Sequence, residues 1–303
     1  MAINYVTKDN MGATLDRAIV QGLITTELET PNINWFDGAK SFTVRSLSTS
    51  GSKAHTRNKG WNAGTYEDAK EVFTLTQDRD IEFYVDQQDV DETNQELSMA
   101  NISKTYFDEH VVPEIDAYRF SKLATIAKTS SAGEAAIKAG YKEEDLDKSS
   151  VYTALKDGLK KVRQYGPTNV IGYVSSDVMD ALERSTEFTR SITNQNVGTT
   201  ALDSRVTSVD GVLLKEVYAT DRFCTGFDFA EGYKKASDAK DLNFIFAVKP
   251  NVIAKVKEQA VYLWAPGEHP EGDGYLYQNR FYHDLFVTAK KVDGLYVSAS
   301  VSK

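Results

Sequence analysis

The chain has 303 residues, a mass of 33.7 kDa and 41% hydrophobic residues, enough to bury about two ordinary cores at roughly 150 residues each. This composition excludes disorder as the main state, and the net charge of −9 argues against a protein that wraps nucleic acid, because such surfaces need clustered Lys and Arg. No stretch approaches the ~20 apolar residues of a membrane span, so no membrane association is predicted. Cys224 is the only cysteine, which excludes an intramolecular disulfide and favours a buried thiol.

Two separate arms are predicted in the first part of the chain, an N-terminal arm and, after it, a two-stranded arm. Residues 1–35 form an N-terminal arm with a weak helical pattern that ends at Pro31. Residues 41–48 alternate apolar and polar side chains, residues 49–65 are Gly, Ser, Asn and basic residues, and residues 70–87 are extended again. This pattern predicts a long two-stranded arm with a basic tip. Because an isolated hairpin is marginal in water, we expect the arm to rest on something else.

Charge changes sign along this region. Residues 36–66 carry a net charge of +4, and residues 67–96 carry a net charge of −9. Two adjacent segments of opposite sign pair within one chain or, if the basic one projects, between neighbouring copies. Two separately solvated faces are the alternative, and for a monomer they are the preferred interpretation. If copies associate, the candidate contact residues are Arg45, Lys53, Arg57, Lys59, Asp78, Asp86, Asp89, Asp91 and Glu92.

The longest predicted helix runs from about Thr93 to Lys128. It begins with a capping box, Thr93 to Glu96, and thirty-odd residues at ~1.5 Å each make a rod of roughly 50 Å. Pro113 lies inside it and is expected to bend or split the helix. A second amphipathic helix follows in residues 149–166 and ends at Gly166.

The rest of the chain predicts an α+β layer. Strands are expected at 169–175, 211–219 and 243–249, a short helix at 176–185 with Ser176 or Asp177 as its N-cap, and a helix at 250–256 that begins with Pro250. Hairpins are expected at two Asp-Gly pairs that lie between apolar runs, Asp210 with Gly211 and Asp293 with Gly294.

The search for catalytic motifs is mostly negative. The sequence has no phosphate-binding Gly-rich loop, dinucleotide fingerprint, nucleophile elbow or zincin motif. The spacing of Asp86, Asp89 and Asp91 resembles a calcium loop, but Asp91 stands where an EF-hand needs glycine, so the start of a helix is favoured. A metal-dependent hydrolase using Asp86, Asp89 and His110 is the enzyme alternative. In Tyr282-His283-Asp284, strand alternation separates the histidine from the carboxylate, which favours a structural role.

Several motifs of the chain resemble the major capsid proteins of tailed bacteriophages. They are Leu75-Thr76-Gln77-Asp78-Arg79, then Phe83 with Asp86 and Asp89-Val90-Asp91-Glu92-Thr93, then Pro113-Glu114-Ile115-Asp116-Ala117-Tyr118-Arg119-Phe120-Ser121-Lys122-Leu123, and near the end Tyr282-His283-Asp284, Phe286, Lys290-Lys291 and Gly294-Leu295-Tyr296. Many relatives have a Gly-Lys-Ser-like tripeptide where this chain has Asp80-Ile81-Glu82, which leaves the subfamily open.

The resemblance implies an α+β fold, the tailed-phage capsid fold that encapsulins share. Its expected parts are the N-terminal arm (1–35), an extended β-hairpin loop (36–78), a peripheral domain with a long spine helix (79–134), an axial domain (135–257) and a return to the peripheral domain (258–303).

The implied function is structural and not enzymatic, with no cofactor. Copies would self-assemble into hexamers and pentamers of an icosahedral shell around double-stranded DNA, bound without sequence specificity. A scaffolding protein, a portal and a decoration protein are the implied partners, and the implied location is the virion, assembled in the host bacterial cytoplasm. An encapsulin-type cage that stores enzymes is the nearest alternative.

Overall fold

The structure is a computed structural model, and it describes residues 21–30, 41–55, 57, 61–92, 98–134, 137–185, 208–230, 232–270 and 272–301. The α-helices are α1 (Gln87–Glu92), α2 (Met99–Tyr106), α3 (Val112–Ala132), α4 (Val151–Val162) and α5 (Ser176–Glu183). The strands are β1 (Ser41–Thr49), β2 (Tyr66–Thr74), β3 (Gln77–Asp86), β4 (Gly140–Glu143), β5 (Val170–Ser175), β6 (Ser208–Val209), β7 (Val212–Val217), β8 (Phe227–Asp228), β9 (Lys234–Lys235), β10 (Leu242–Val248), β11 (Val252–Trp264), β12 (Gly274–Val287) and β13 (Leu295–Ala299).

The predicted two-stranded arm, called the arm from here on, is confirmed as an antiparallel hairpin of β1 and β2. β1 pairs with β2 along its whole length, from Ser41 opposite Thr74 to Thr49 opposite Tyr66. Neither strand pairs with another sheet among the described residues. Nine residues per strand at ~3.3 Å give the hairpin a length of roughly 30 Å.

A three-stranded antiparallel sheet continues from the arm. Its order is β11-β12-β3, so β3 and β11 are its edge strands. The register sets Phe286, near the root of the arm, at one end of β12 and Gly274, opposite Asp86, at the other. The two ends of this sheet are therefore roughly 40 Å apart at ~3.3 Å per residue.

The long helix is confirmed, with a different course at Pro113. α2 and α3 are joined by a π-helical turn, Phe107–Val111, and Pro113 follows that turn at the beginning of α3. The N–H of Val112 donates to the carbonyl of Phe107, five residues back. Of the expected bend or split, the split does not occur, because the wider turn gives the proline ring room and reduces the clash with the preceding turn. The helical rod from Met99 to Ala132 is about 50 Å long at ~1.5 Å per residue.

Part of the expected start of this helix lies outside the residues that the structure describes. The capping box from Thr93 to Glu96 lies outside the described residues. Within them the helix begins at Met99, after Ser98, whose side chain makes no capping hydrogen bond.

The second large sheet of the chain is a six-stranded mixed sheet. Its order is β4-β13-β10-β5-β7-β6, with β4 and β7 parallel to their neighbours β13 and β5. Alternate residues of its central strands point to opposite faces: Ile245 packs in the cluster around Phe120 of α3, and Phe246 packs in the cluster that contains α4 and α5. Helices thus cover both faces of this sheet, and α3 links it to the three-stranded sheet.

Three local predictions need correction. Residues 250–256 are not a helix: a 3-10 turn, Lys249–Asn251, leads into β11, because pairing with β12 outweighs the local helix signal of Pro250. Asp293 and Gly294 end a 3-10 helix before β13 and make no hairpin, since β12 and β13 belong to different sheets. The N-cap of α5 is Ser175, whose hydroxyl accepts from the N–H of Val178, and not Ser176 or Asp177.

The hairpin at Asp210 and Gly211 is confirmed. Both residues have positive φ, 51° and 79°, the combination that a tight two-residue hairpin turn requires. The five-segment division of the chain remains a prediction; the last strand, β13, pairs with β10 in the six-stranded sheet. Among the described residues, no helix is both long and apolar enough to cross a membrane.

Candidate subunit-contact surfaces

The root of the arm is fixed to the body of the chain. Phe42 is 2% exposed, and its ring packs on Phe73 and Phe286 at centroid distances of 5.6 and 5.7 Å. The backbone N–H and hydroxyl of Thr76 donate to Asp284 Oδ2 at 3.0 and 2.7 Å. The arm therefore leaves the body from an aromatic cluster and a hydrogen-bonded junction.

The spine helix takes part in this junction. The hydroxyl of Tyr118 on α3 donates to the second oxygen of Asp284 at 2.7 Å. Burial raises the pKa of Tyr118 far above its usual value, so the phenol remains a donor at any working pH. His283 lies against the Tyr118 ring, at 5.0 Å between centroids, and neither of its ring nitrogens has a hydrogen-bond partner among the described residues. Burial and the nearby guanidinium of Arg119 lower the pKa of His283 to about 3, so this histidine is a neutral ring at neutral pH.

Beyond its root, the arm presents an exposed outer face. Leu47, Tyr66 and Val72 point to this face and are 69%, 77% and 60% exposed. Arg45 and Lys70, opposite each other in register, share the face with them. Asp68, opposite Leu47, is exposed on the same face, so the arm offers apolar side chains and charges of both signs to solvent.

The tip of the arm carries the remaining basic candidates. Lys53 and Arg57 are exposed, and so is Trp61, at 98%; the ring centroids of Trp61 and His55 are 6.5 Å apart. Lys59 lies outside the described residues. The structure thus gathers Arg45, Lys53 and Arg57 on one projecting hairpin.

The acidic candidates lie on the three-stranded sheet and at its far end. Asp78 on β3 forms a bidentate ion pair with Arg280, at 2.9 and 2.7 Å. Strand alternation sets Asp80 and Glu82 on the same face as Asp78, and Glu82 accepts from Gln278 at 2.6 Å. Sequence reasoning omitted Asp80 and Glu82, although the alternating run from Asp78 to Glu82 was a sufficient signal.

At the end of β3 the chain turns into the short helix α1. Asp86 Oδ1 accepts from the backbone N–H of Gln88 at 2.9 Å, which is the helix-start role that the sequence favours. Asp89, Asp91 and Glu92 follow on α1. The acidic candidates are thus spread along one edge strand and the helix that continues it.

The residues of the hydrolase alternative do not converge. Asp86 ends β3, Asp89 lies on α1, and His110 lies in the π-helical turn, where it packs against Tyr106 at 6.2 Å. In the part of the chain that the structure describes, no three His, Cys, Asp or Glu side chains are grouped to hold a metal ion.

A cleft of about 540 Å³ adjoins the π-helical turn and is lined by His110, Cys224, Lys235 and Asp241, among others. Cys224 is buried, as predicted, and its thiol donates to Asp241 at 3.1 Å. Burial, together with this carboxylate, raises the pKa of Cys224 to about 12, so the thiol is protonated and a poor nucleophile. Asp241 is also paired with Lys235 at 2.7 Å. The cleft therefore holds an internally paired cluster and no activated nucleophile.

Among the comparisons with known proteins, only the comparison of structures finds similar proteins. No protein-family model matches the sequence, and no curated protein matches it either. Among solved structures, the chain is similar to the asymmetric unit of the mature capsid of bacteriophage PhiM1, with a TM-score of 0.70 and 13% identity over 98% of this chain and 93% of that one.

Two further structures agree. The capsid of the cyanophage P-SCSP1u matches with a TM-score of 0.65 and 13% identity over 98% of this chain and 93% of that one. The capsid of a native gene transfer agent (GTA) particle matches with a TM-score of 0.59 and 12% identity over 98% of this chain and 96% of that one. These matches do not favour the encapsulin alternative or the hydrolase. The chain has the α+β fold of tailed-phage capsid proteins.

Proposed function

We propose that this chain is the structural subunit of an icosahedral phage head. Copies assemble through the arm into hexamers and pentamers of a closed shell that encloses double-stranded DNA. The observation that carries the proposal is the arm itself: a hairpin roughly 30 Å long, rooted by Phe42 and Phe73 but with Leu47, Tyr66 and Val72 exposed. An exposed apolar hairpin is an aggregation hazard in a monomer and a contact surface in an assembly.

The charge distribution supports the same function. Basic side chains lie at the tip of the arm, whose second strand also carries Glu67, Asp68 and Glu71, and acidic side chains line β3 and α1. The tip of one copy therefore complements the edge of another. A closed shell satisfies every such contact, because each subunit both offers an arm and receives one. The net charge of −9 suits a container that holds DNA without binding it tightly.

The partners and the location follow from this function. A scaffolding protein would guide assembly, a portal would occupy one vertex, and a decoration protein would bind the finished shell. The DNA inside would be held without sequence specificity. Assembly would take place in the cytoplasm of the host bacterium, and the product would be the virion capsid.

Deletion of the arm tip tests the proposal. The full-length chain and a variant lacking Ser50 to Gly64 are concentrated with and without a crowding agent and followed by sedimentation and electron microscopy. We expect hollow closed particles from the full-length chain. The deletion variant should keep the far-UV circular dichroism of a folded subunit and form no closed particles.

Two results would contradict the proposal in different ways. A full-length chain that stays monomeric under every condition argues against a shell subunit. Normal closed particles from the deletion variant would leave the shell standing and remove the role of the arm.

A further inference from the structure

A short hairpin extends from the six-stranded sheet toward the spine helix. Its strands are β8 (Phe227–Asp228) and β9 (Lys234–Lys235), which pair with each other. Its base is attached at the start of β10, where the N–H of Leu242 donates to the carbonyl of Phe223 at 3.0 Å. Two residues per strand are too few for an independently stable hairpin, so its position depends on the groups that it contacts.

Arg79 of β3 binds the loop of this hairpin. Its guanidinium donates to the carbonyl of Phe229 at 2.6 Å and to the carbonyl of Gly232 at 3.3 Å. The same guanidinium pairs with Glu114 of α3, with Nε 2.6 Å from Oε1 and Nη2 3.1 Å from Oε2. One planar group thus joins a strand, the spine helix and the hairpin. A lysine could not make this set of bonds, because its ammonium donates from a single point.

An aromatic contact adds to the polar one. The ring of Phe229 lies edge-on to the ring of Tyr118 on α3, with 5.5 Å between centroids. On another side the hairpin borders the cleft of about 540 Å³, whose lining includes Tyr233 of the hairpin and His110 of the π-helical turn. Because this open space separates the hairpin from the π-helical turn, the contacts with Arg79 and Tyr118 hold the hairpin against the spine helix.

The hairpin gives the two large sheets a second point of attachment. The first is the shared core, in which Ile245 of β10 and Leu285 of β12 belong to one cluster with Phe120. Arg79 lies opposite Phe281 in register, and Phe281 is roughly 13 Å from Leu285 along β12 at ~3.3 Å per residue. Two attachments at different points prevent a rotation that a single attachment permits.

We propose that the β8–β9 hairpin is a latch that fixes the angle between the three-stranded and six-stranded sheets, and that Arg79 is the positioning residue that holds the latch closed. This inference rests on the proposed function, because the same angle in every subunit gives every copy the same curvature in a closed shell. Opening the latch breaks the hydrogen bonds of Arg79 and one aromatic contact but leaves the shared core intact, so it is a local event.

Hydrogen exchange of the unassembled subunit tests the latch itself. Arg79→Lys and Phe229→Ala weaken it from opposite sides, and neither leaves Glu114 without a facing cation. Each should speed the exchange of the hairpin amides at least tenfold and leave β10 unchanged. Arg184→Ala removes an arginine that pairs with Asp180 inside α5, so it is the matched control and should exchange as the wild type does. Unchanged exchange in both latch variants would overturn the proposal.

Spin labels measure the angle between the sheets. Labels on Gln88→Cys, beyond the far end of β3, and on Lys161→Cys, on α4, give the distance between the two parts by double electron–electron resonance. Cys224 is buried and does not compete for the label. The distance distribution should be at least twice as broad in either latch variant as in the wild type or the control variant. Faster exchange of the hairpin with an unchanged distance distribution would overturn its role in fixing the angle.

Assembled particles show the consequence for the shell. In electron micrographs the wild type and Arg184→Ala should give one narrow range of diameters, and the two latch variants a range about twice as broad. Latch variants with particles as uniform as those of the wild type would overturn the link between angle and curvature. Absence of shells from the wild type would contradict the proposed function instead, while exchange and distance measurements on the unassembled subunit still decide the latch.

Discussion

Asp116 is a fully buried carboxylate that fastens the N-terminal segment to the spine helix. Its oxygens accept from the backbone N–H groups of Ile24 and Thr25 at 3.0 and 3.1 Å, from the Thr25 hydroxyl at 2.7 Å and from the guanidinium of Arg222 at 3.2 Å. Arg222 is itself only 1% exposed. A charge pair removed from water in this way stabilises the fold only while both partners are present.

Asp116→Ala should therefore destabilise the subunit strongly. The substitution leaves the buried guanidinium of Arg222 without its carboxylate, and breaking one half of a buried pair costs about 3–5 kcal/mol. Asp116→Asn keeps the shape and one acceptor oxygen, so its loss should be smaller. Urea unfolding of the unassembled subunit, followed by circular dichroism, measures both. Equal stability of the alanine variant and the wild type would contradict this role of Asp116.

His283 makes the stability of the subunit depend on pH. Burial lowers its pKa to about 3, below the ordinary value of 6.5, so between these two pH values the unfolded chain binds a proton that the folded chain excludes. The contribution of His283 to stability is therefore lost as pH falls from about 6.5 toward 3, with a slope of up to ~1.4 kcal/mol per pH unit.

Replacement of the imidazole isolates this effect. His283→Leu fills the buried site with an apolar group and should flatten the decline of the unfolding free energy between pH 6.5 and pH 4. The difference between the variant and the wild type is the readout, because carboxylates elsewhere titrate in the same range in both proteins. Parallel pH profiles for the two would mean that His283 binds its proton equally in the folded and unfolded chains.

At the scale of elements, an aromatic cluster fastens the arm at its root. The rings of Phe42, Phe73 and Phe286 form a three-membered cluster, with the centroids of Phe73 and Phe286 4.9 Å apart and that of Phe42 5.6 and 5.7 Å from them. Phe42→Ala should release the hairpin, since removal of a buried phenylalanine costs about 3–5 kcal/mol where the site does not collapse. Limited proteolysis should then cut the arm several-fold faster. Leu47→Ala, on the exposed outer face of the same strand, is the control and should be cut at the wild-type rate.

Some elements could be predicted because their signals are local. The alternation of apolar and polar residues predicted the two strands of the arm, and the Asp-Gly pair at Asp210 and Gly211 predicted the hairpin whose positive φ angles are observed. The apolar periodicity of the spine helix continues past Pro113, and so does the helix. Residues 250–256 are predicted as a helix, because Pro250 is a good first residue for a helix. The strand there exists because twelve of the thirteen residues of β11 pair with β12, a contact that a local window does not contain.

The residues of the candidate contact surfaces also fall into those that local sequence predicts and those that it does not. The basic tip could be read from composition, and the run from Asp78 to Glu82 could have been read from alternation. The shared position of the exposed rings of Tyr84 and Trp264 could not, because these residues reach one face of the sheet only through the register of two strand pairs. The buried network of Asp116 likewise joins residues 91 and 92 positions apart, with no signal in the local sequence.

At the scale of the whole molecule, the charges of the arm should control assembly in a salt-dependent way. Reversing Lys53, Arg57 and Lys59 to Glu removes the attraction to an acidic edge and replaces it with repulsion. Exposed charges act over roughly 8 Å at physiological ionic strength and over about 3 Å at 1 M salt. The variant should therefore assemble poorly at low salt and recover part of the loss at high salt.

The control needs the same change in net charge at another place. Reversing Lys138, Lys148 and Lys161, which are exposed on the α+β part of the chain, gives it. Each exposed pair is worth at most about 1 kcal/mol, but a shell repeats the contact in every subunit, so a small loss per contact shifts the assembly midpoint. Light scattering against subunit concentration at several ionic strengths measures that midpoint. If the arm variant follows the wild type at every salt concentration, the two charged segments are separately solvated faces, and the arm docks through its apolar side chains alone.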